Sequence, residues 1–302
     1  MKDLPASGRA AVTGDRPGNA REAYLWGREH LAAVGVEAAE LEAEVLLRHA
    51  LGVDRARLYV RWLAPLDEDA WQRYRRLLEE RATGRPLAYV VGEREFFGLS
   101  FSVDHRVLVP RPETELLVQV VLEATQEVVG PVYVDVGTGS GAVAVALAVH
   151  RPDATVYATD LSPAALAVAE ENARRHGVLG RVRLLEGDAL APVEELGVRA
   201  HAVASNPPYV PPQARDELPR EVLAEPEVAV FSPGPRGVEL HERIAGQARG
   251  VLWPRGVLAF EVAAKWEQAR QVAEALVRLG YGTPQVVRDL AGWERVVWAR
   301  WG

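Results

Sequence analysis

From about residue 131 onward, short apolar runs rich in β-branched residues alternate with segments of helical pattern. The runs are PVYVDV (131–136), ATVYATD (154–160), VRLLEGD (182–188), AHAVAS (200–205) and GVLAFEV (256–262). Such alternation predicts parallel strands joined by helical crossovers, and therefore an α/β fold with a Rossmann-like, doubly wound, mainly parallel sheet. Two further runs, PQVVRD (284–289) and ERVVWARW (294–301), are separated by a short loop, which favours an antiparallel last strand.

The preceding part of the chain has a different pattern. Residues 21–85 carry apolar side chains at three- and four-residue spacing, as in LEAEVLLRHALG (41–52) and DEDAWQRYRRLLEERATG (67–84), and predict a small helical domain. Asp67 is a candidate N-cap, and Gly52 and Gly84 are candidate helix stops. We interpret residues 1–20 as a flexible tail, 86–109 as a β-hairpin linker and 110–302 as the α/β domain.

Composition excludes several classes of function. The chain has 302 residues, a net charge of −7 and no cysteine, so disulfides, thiolate chemistry and cysteine-ligated zinc are excluded. No apolar stretch reaches the roughly 18 residues of a membrane span, and the N-terminus has no signal-type apolar core. The histidines are scattered without metal-ligand spacing, so we expect no metal. We therefore expect a cytoplasmic protein that binds no membrane and does not bind nucleic acid directly.

A glycine-rich turn, DVGTGSG (135–141), follows the first strand of the alternating region. Glycine permits a sharp turn and lets a ligand approach the main chain closely. The spacing is G-x-G-x-G, whereas the dinucleotide fingerprint is G-x-G-x-x-G, and the lysine of a P-loop is absent. This pattern favours a ligand without phosphates.

Two acids follow the next strands at the same edge of the predicted sheet. Asp160 can accept hydrogen bonds from ribose hydroxyls, and Asp188 ends the third run. Either feature alone is equally compatible with a tight turn or a helix N-cap, but together they indicate a nucleoside pocket that fits S-adenosylmethionine, with S-adenosylhomocysteine as product. The predicted cofactor residues are Gly137, Thr138, Gly139, Ser140, Gly141, Asp160, Leu161, Asp188, Ala189 and Asn206.

The fourth strand is followed by SNPPYV (205–210). An amide or aromatic amine nitrogen is a poor nucleophile because its lone pair is delocalised. The Asn206 side-chain oxygen and the Pro207 carbonyl can hold its two N–H bonds, while Pro208 stiffens the loop and Tyr209 packs on the planar group. We therefore predict Asn206, Pro207, Pro208 and Tyr209 as the catalytic set of an amino-group methyltransferase.

The pattern leaves the acceptor open between adenine N6 and the glutamine amide. An enzyme acting on DNA must extrude the base and normally carries basic recognition surface, which this acidic chain lacks. The alternatives are a DNA or RNA adenine N6-methyltransferase and a non-catalytic protein that binds S-adenosylmethionine.

Residues 22–302 resemble the HemK/PrmC protein-glutamine N5-methyltransferases. This resemblance implies a class I methyltransferase fold. The resemblance rests on VDVGTGSGAVAVALA (134–148), SNPPYV (205–210), PRPETE (110–115) and EPEVAVFSPGPRGVEL (225–240). It implies methylation of the Gly-Gly-Gln glutamine of class 1 peptide chain release factors, with the helical domain contacting the release factor. It also implies that Arg111 and Glu113 line the cofactor pocket or tie the linker to it; an ion pair fixing the domain junction is the alternative.

This chain departs from the family pattern at three places. SPGPRG (232–237) replaces a Gly-Gly-x-Asp-Gly arrangement and has Arg236 at the position of the acid. Ala189 and Leu190 stand where many members carry an aromatic residue, and EVAAKW (261–266) replaces the usual E-x-G. We expect these changes to affect the rim of the pocket.

Overall fold

The structure, a computed structural model, describes residues 16–302 and divides into two compact units, one ending at Val91 and the other comprising Gly92–Gly302. Most of the predicted tail, residues 1–15, lies outside the described residues. Within the described residues, no helix is long and apolar enough to cross a membrane.

The first unit is helical. Its helices are α1 (Ala20–Ala33), α2 (Ala39–Leu51), α3 (Arg55–Val60), α4 (Glu68–Ala82) and α5 (Leu87–Val91). The predicted cap is confirmed, because the Asp67 carboxylate accepts a hydrogen bond from Ala70 N at 2.7 Å. Buried leucines and the phenol ring of Tyr74 form the core, and the Tyr74 hydroxyl donates to the Ala43 carbonyl. Because α5 is helical, the expectation of β structure from residue 86 is wrong for Leu87–Val91.

The second unit begins with the predicted hairpin, β1 (Glu93–Phe96) and β2 (Leu99–Ser102). Phe97 and Gly98 at its turn have φ of 51° and 73°, as a tight two-residue turn requires. The fully buried Asn172 accepts from Ser102 N at 2.8 Å and donates to the carbonyls of Ser102 and Ser140 at 3.0 and 2.9 Å. One side chain thus fastens the hairpin to the glycine-rich turn.

A three-layer α/β fold follows the hairpin. After a 3₁₀ turn (Pro112–Thr114), its elements are α6 (Glu115–Ala124), β3 (Val132–Val136), α7 (Ala142–His150), β4 (Thr155–Asp160), α8 (Pro163–Arg175), β5 (Val182–Glu186), α9 (Ala191–Glu195), β6 (Ala200–Ser205), α10 (Arg220–Leu223), α11 (Glu227–Val230), α12 (Glu239–Val251), β7 (Leu252–Glu261), α13 (Gln268–Arg278), β8 (Gln285–Arg288) and β9 (Glu294–Arg300). A second 3₁₀ turn covers Pro212–Glu217.

The sheet order is β5-β4-β3-β6-β7-β9-β8. Strands β3 to β7 pair in parallel, and β9 pairs antiparallel with both β7 and β8. The predicted doubly wound sheet with an antiparallel last strand is therefore confirmed. The direction of the crossovers reverses between β4 and β6, the two neighbours of β3, and ligands bind at such a switch point outside the carboxyl ends of the strands.

Strand β7 begins at Leu252, four residues before the apolar run that predicted it. Residues 253–255 lack the alternation of a strand, and Arg255 has φ of 64°. Pairing with the chain end nevertheless extends the strand, because Arg255 N donates to Trp301 O at 2.6 Å and Trp301 N to Gly256 O at 2.8 Å. A tertiary contact therefore overrides the weak local pattern here.

Candidate active site

The carboxyl ends of β3 to β7 form one edge of the sheet. Val136 pairs with Thr159 on β4 and with Ser205 on β6, and Ser205 pairs with Phe260 on β7. The residues that follow these strands therefore emerge side by side. The sheet register brings the glycine-rich turn, the acid of β4 and the SNPPYV segment to one place.

The glycine-rich turn folds over the end of β4. Gly137 and Gly139 have φ of 72° and 54°, and a Cβ added to either would meet no atom within 4 Å. Gly137 N and Thr138 N both donate to the Thr159 carbonyl at 2.9 Å. The positive φ requires glycine, and the open side of the turn leaves its main chain accessible to a ligand.

Asp160 braces this turn. Its Oδ2 accepts from Gly139 N and its Oδ1 from Ser162 N, both at 2.9 Å. Burial raises the pKa of Asp160, and these backbone hydrogen bonds oppose that rise. Each oxygen keeps a lone pair for a further donor, because an ionised carboxylate offers about four acceptor sites.

Asp135 on β3 also holds the glycine-rich turn in place. The sequence reasoning did not single out this residue. Its Oδ2 accepts from the Thr138 hydroxyl at 2.6 Å and from Ala144 N at 3.1 Å. Burial raises the pKa of Asp135 to about 7. Its position inside the glycine motif was the available signal for a role in holding the turn.

A cavity, here the glycine-loop cavity, lies against the turn and the strand ends. Its lining includes seven predicted cofactor residues: Gly137, Gly139, Asp160, Leu161, Asp188, Ala189 and Asn206. Thr138 and Ser140 line a smaller cleft on the other side of the turn. Gly141 lines neither; an added Cβ would lie 3.0 Å from Ala169 Cβ, so this glycine permits close packing of α7 against α8.

Asp188 lies at the outer rim of the glycine-loop cavity. Its carboxylate accepts two hydrogen bonds from Arg243, at 2.9 and 2.6 Å. The following residue, Ala189, has φ of 51°, an uncommon conformation for a residue with a side chain. The buried Thr159 hydroxyl also holds this turn, because it donates to the Ala189 carbonyl at 2.8 Å.

The SNPPYV segment forms the opposite wall. Asn206, Pro207 and Pro208 line the glycine-loop cavity and also a second cavity of ≈ 430 Å³, here the tryptophan cavity after its residues Trp266 and Trp293. That volume is within the range of roughly 300–1,000 Å³ typical of small-molecule sites. The two cavities therefore meet at the residues predicted to be catalytic.

Tyr209 lines the tryptophan cavity and donates its hydroxyl hydrogen to Glu261 Oε1 at 3.1 Å. Burial, followed by the charge of Glu261, raises the pKa of Tyr209, so the phenol is protonated at neutral pH. Glu261 itself is 2% exposed, and burial raises its pKa to about 7. An acid directly after an apolar strand at this edge was a signal equivalent to that of Asp160, and the sequence reasoning missed it.

Gln268 holds the SNPPYV segment from the protein interior. This fully buried side chain donates to the Tyr209 carbonyl at 2.7 Å and to the Gly237 carbonyl at 3.3 Å, and accepts from Ala263 N at 2.9 Å. Gly237 belongs to SPGPRG, whose Arg236 is exposed and pairs with Glu242. Arg236 is not among the residues that line either cavity.

The segments PRPETE (110–115) and EPEVAVFSPGPRGVEL (225–240) also come together at the site. The Glu225 carboxylate is buried, accepts from Val109 N at 2.9 Å and forms an ion pair with Arg111. Glu113 lies 3.6 Å from Arg295. Arg111 and Glu113 thus have separate partners; Arg111 lines the tryptophan cavity and the smaller cleft that Thr138 and Ser140 line, but not the glycine-loop cavity.

Comparisons with known proteins agree with this geometry. Residues 22–92 match the family model of the PrmC N-terminal domain, and residues 112–234 match that of the methyltransferase small domain. The solved hMettl16 catalytic domain, in complex with a MAT2A 3′UTR hairpin, shares the fold at 16% identity and a TM-score of 0.55, covering 74% of this chain and 81% of that one. Fold and site together define a methyltransferase.

Curated relatives show to which family of methyltransferases the chain belongs. The release factor glutamine methyltransferase of Moorella thermoacetica is 44% identical over 266 residues, 88% of this chain and 92% of the relative. That of Nitratidesulfovibrio vulgaris is 39% identical over 276 residues, 90% of this chain and 92% of the relative. The chain belongs to the release factor glutamine methyltransferase family.

Proposed function

We propose that this protein transfers a methyl group from S-adenosylmethionine to the side-chain amide nitrogen (N5) of the glutamine in the Gly-Gly-Gln motif of class 1 peptide chain release factors. The observation that carries the proposal is the shared wall. Asn206, Pro207 and Pro208 separate a cavity suited to a nucleoside from one suited to a planar side chain. Release factors as substrates imply action in the cytoplasm.

The residues of the glycine-loop cavity suit a ligand without phosphates. Two arginines line it, but Arg106 is bidentate to Asp104, with hydrogen bonds of 3.0 and 2.6 Å to Oδ2, and Arg243 is bidentate to Asp188. Neither guanidinium is free to neutralise a phosphate. The open faces of Gly137 and Gly139 accept a close main-chain contact, and the lone pairs of Asp160 accept hydroxyl hydrogens.

When bound, S-adenosylmethionine supplies an electrophilic methyl group on a sulfonium and leaves as S-adenosylhomocysteine. The protein's part is to hold the acceptor nitrogen. The Asn206 Oδ1 and the Pro207 carbonyl accept its two N–H bonds, which fixes the nitrogen and opposes conjugation of its lone pair. The amide loses one of these protons during or after transfer.

The tryptophan cavity suits a carboxamide on a polypeptide. Tyr209, Trp266 and Trp293 present aromatic surface on which a planar amide can pack. The cations that line it each lie near a carboxylate: Arg111 near Glu225, Lys265 near Glu217 and Arg295 near Asp289. This neutralised rim favours a protein substrate over a polyanionic nucleic acid.

The helical unit, α1 to α5, contributes no lining residue to either cavity and is proposed to recognise the release factor. Its match to the PrmC N-terminal domain supports this assignment. The predicted division into a recognition domain (21–85), a linker (86–109) and a methyltransferase domain (110–302) is part of the same proposal.

Methyl-labelled S-adenosylmethionine, offered with a release factor or with DNA or RNA, tests the function. We expect label in the release factor, and mass spectrometry should locate one added methyl group on the tryptic peptide containing Gly-Gly-Gln. Label in nucleic acid alone would establish an adenine methyltransferase instead. Cofactor binding without labelling of either acceptor would establish a non-catalytic binding protein.

A further inference from the structure

Among the residues that the structure describes, the side chain of Asn206 makes one hydrogen bond. Its Nδ2 donates to the Thr114 hydroxyl oxygen at 3.2 Å. Thr114 is 5% exposed and lies in the 3₁₀ turn before α6, far from Asn206 in the sequence. A terminal amide can be turned by half a rotation at almost no steric cost, so which of its two atoms faces the cavities depends on whether the Thr114 hydroxyl accepts or donates.

The Thr114 hydroxyl has a second neighbour, the buried carboxyl of Glu261. Hydrogen bonding by Thr114 and by Tyr209 lowers the pKa of Glu261 against the effect of burial. Tyr209 occupies Oε1, and among residues 16–302 no group forms a hydrogen bond with the buried Oε2. A buried acceptor without a donor is costly, and the single proton of the Thr114 hydroxyl can turn to it; a threonine in that orientation has only lone pairs to offer Asn206.

We infer that Glu261 and Thr114 are positioning residues that fix the polarity of the Asn206 amide, with Nδ2 held inward and Oδ1 directed to the acceptor. The inference rests on the proposed function, because Oδ1 must accept an N–H of the substrate amide. With the amide reversed, Nδ2 would face an N–H donor, and the acceptor would lose one of its two hydrogen-bond acceptors.

Ionised Glu261 is a pure acceptor, whereas protonated Glu261 is itself a donor and no longer directs the Thr114 proton. The charged and titratable groups around the carboxyl are Tyr209 after β6, Glu113 in the 3₁₀ turn and Arg295 on β9; Glu113 raises and Arg295 lowers its pKa. His241 on α12 faces the Glu261 carbonyl through Nε2 at 2.9 Å. Since the pKa of Glu261 is about 7, turnover is expected to rise as pH increases through this value.

The first test measures the amide directly and needs no turnover. Nitrogen-15 spectra of the full chain contain a side-chain amide signal of Asn206, identified by its absence in Asn206→Asp. We expect a slowly exchanging Nδ2 proton in the wild type and faster exchange, by about tenfold, in Thr114→Val, because the variant keeps the shape but removes the acceptor. Equal exchange in both proteins would overturn the inference.

The second test separates positioning from folding by kinetics on a release factor. Thr114→Val and Glu261→Gln are each expected to lower kcat about tenfold or more, with KM for the release factor and affinity for S-adenosylmethionine within about threefold. Thr114→Ser restores a hydroxyl and should recover most of the lost turnover. The matched control is Thr125→Val, which removes another buried threonine hydroxyl, bonded to the Val121 carbonyl, outside both cavities.

The pH profile supplies a readout that a structural role would not change. The wild type should show an inflection near pH 7 that Glu261→Gln lacks. Turnover of Thr114→Val within twofold of the wild type, or an unchanged profile in Glu261→Gln, would contradict the inference. If the wild type methylates no release factor, the proposed function fails, while the exchange measurement still decides the polarity of Asn206.

Discussion

Replacing Gly237, which lines neither cavity, by alanine is expected to distort the SNPPYV segment. Gly237 has φ of 79°, and an added Cβ would lie 2.4 Å from both the Tyr209 carbonyl oxygen and Gln268 Nε2. Neither atom is the end of a flexible surface chain, since one is backbone and the other belongs to a fully buried side chain. The backbone carrying Tyr209 must therefore move.

The magnitude combines two contributions. A non-glycine residue in the left-handed region costs roughly 1–2 kcal/mol. Loss of the 2.7 Å hydrogen bond from Gln268 to the Tyr209 carbonyl, which leaves buried polar groups unsatisfied, costs about 1–3 kcal/mol more. The expected destabilisation of Gly237→Ala is about 2–5 kcal/mol, together with a fall in kcat of at least tenfold because Pro207 and Tyr209 are displaced.

Urea unfolding followed by circular dichroism, together with methylation kinetics, provides the measurement. The matched control is Gly197→Ala, at which φ is 64° and an added Cβ meets no atom within 4 Å. The stability of that variant should fall only by the conformational cost of about 1–2 kcal/mol, and its turnover should equal that of the wild type. Equal loss of stability and of turnover in the two variants would refute the argument from close approach.

Three further changes test other parts of the site. Asn206→Ala should abolish methylation while calorimetric affinity for S-adenosylmethionine stays within a few-fold; turnover equal to the wild type would exclude the proposed role. Asp160→Asn turns an amide donor towards either Gly139 N or Ser162 N and should weaken cofactor binding at least tenfold by the same assay, whereas unchanged affinity would contradict the bracing role. Burial lowers the pKa of His241 from 6.5 to about 4, so the unfolded chain binds a proton first, and stability should fall by about 3 kcal/mol between pH 6.5 and 4. Urea midpoints across this range should be flatter in His241→Gln, and parallel curves would contradict the assignment.

Much of the fold could be predicted from local pattern. Each strand of the α/β unit was predicted within a few residues because apolar runs indicate burial directly, and the cap at Asp67 was predicted because capping is local chemistry. The errors occurred where local pattern was weak. Leu87–Val91 is helical rather than extended. Strand β7 starts earlier than predicted because pairing with Trp301, which is remote in the chain, supplies hydrogen bonds that no local sequence pattern indicates.

The sequence by itself determined the chemistry that this protein carries: glycines at positive φ, an acid after β4, and an amide followed by two prolines at the end of β6. Only the tertiary structure decided how that chemistry is held. Asn206 and Thr114 are 92 residues apart, and Gln268 joins Tyr209 across 59 residues. Hydrogen bonds at such separation leave no periodic trace in a sequence, because they depend on sheet register and on which buried groups the packing brings within 3 Å.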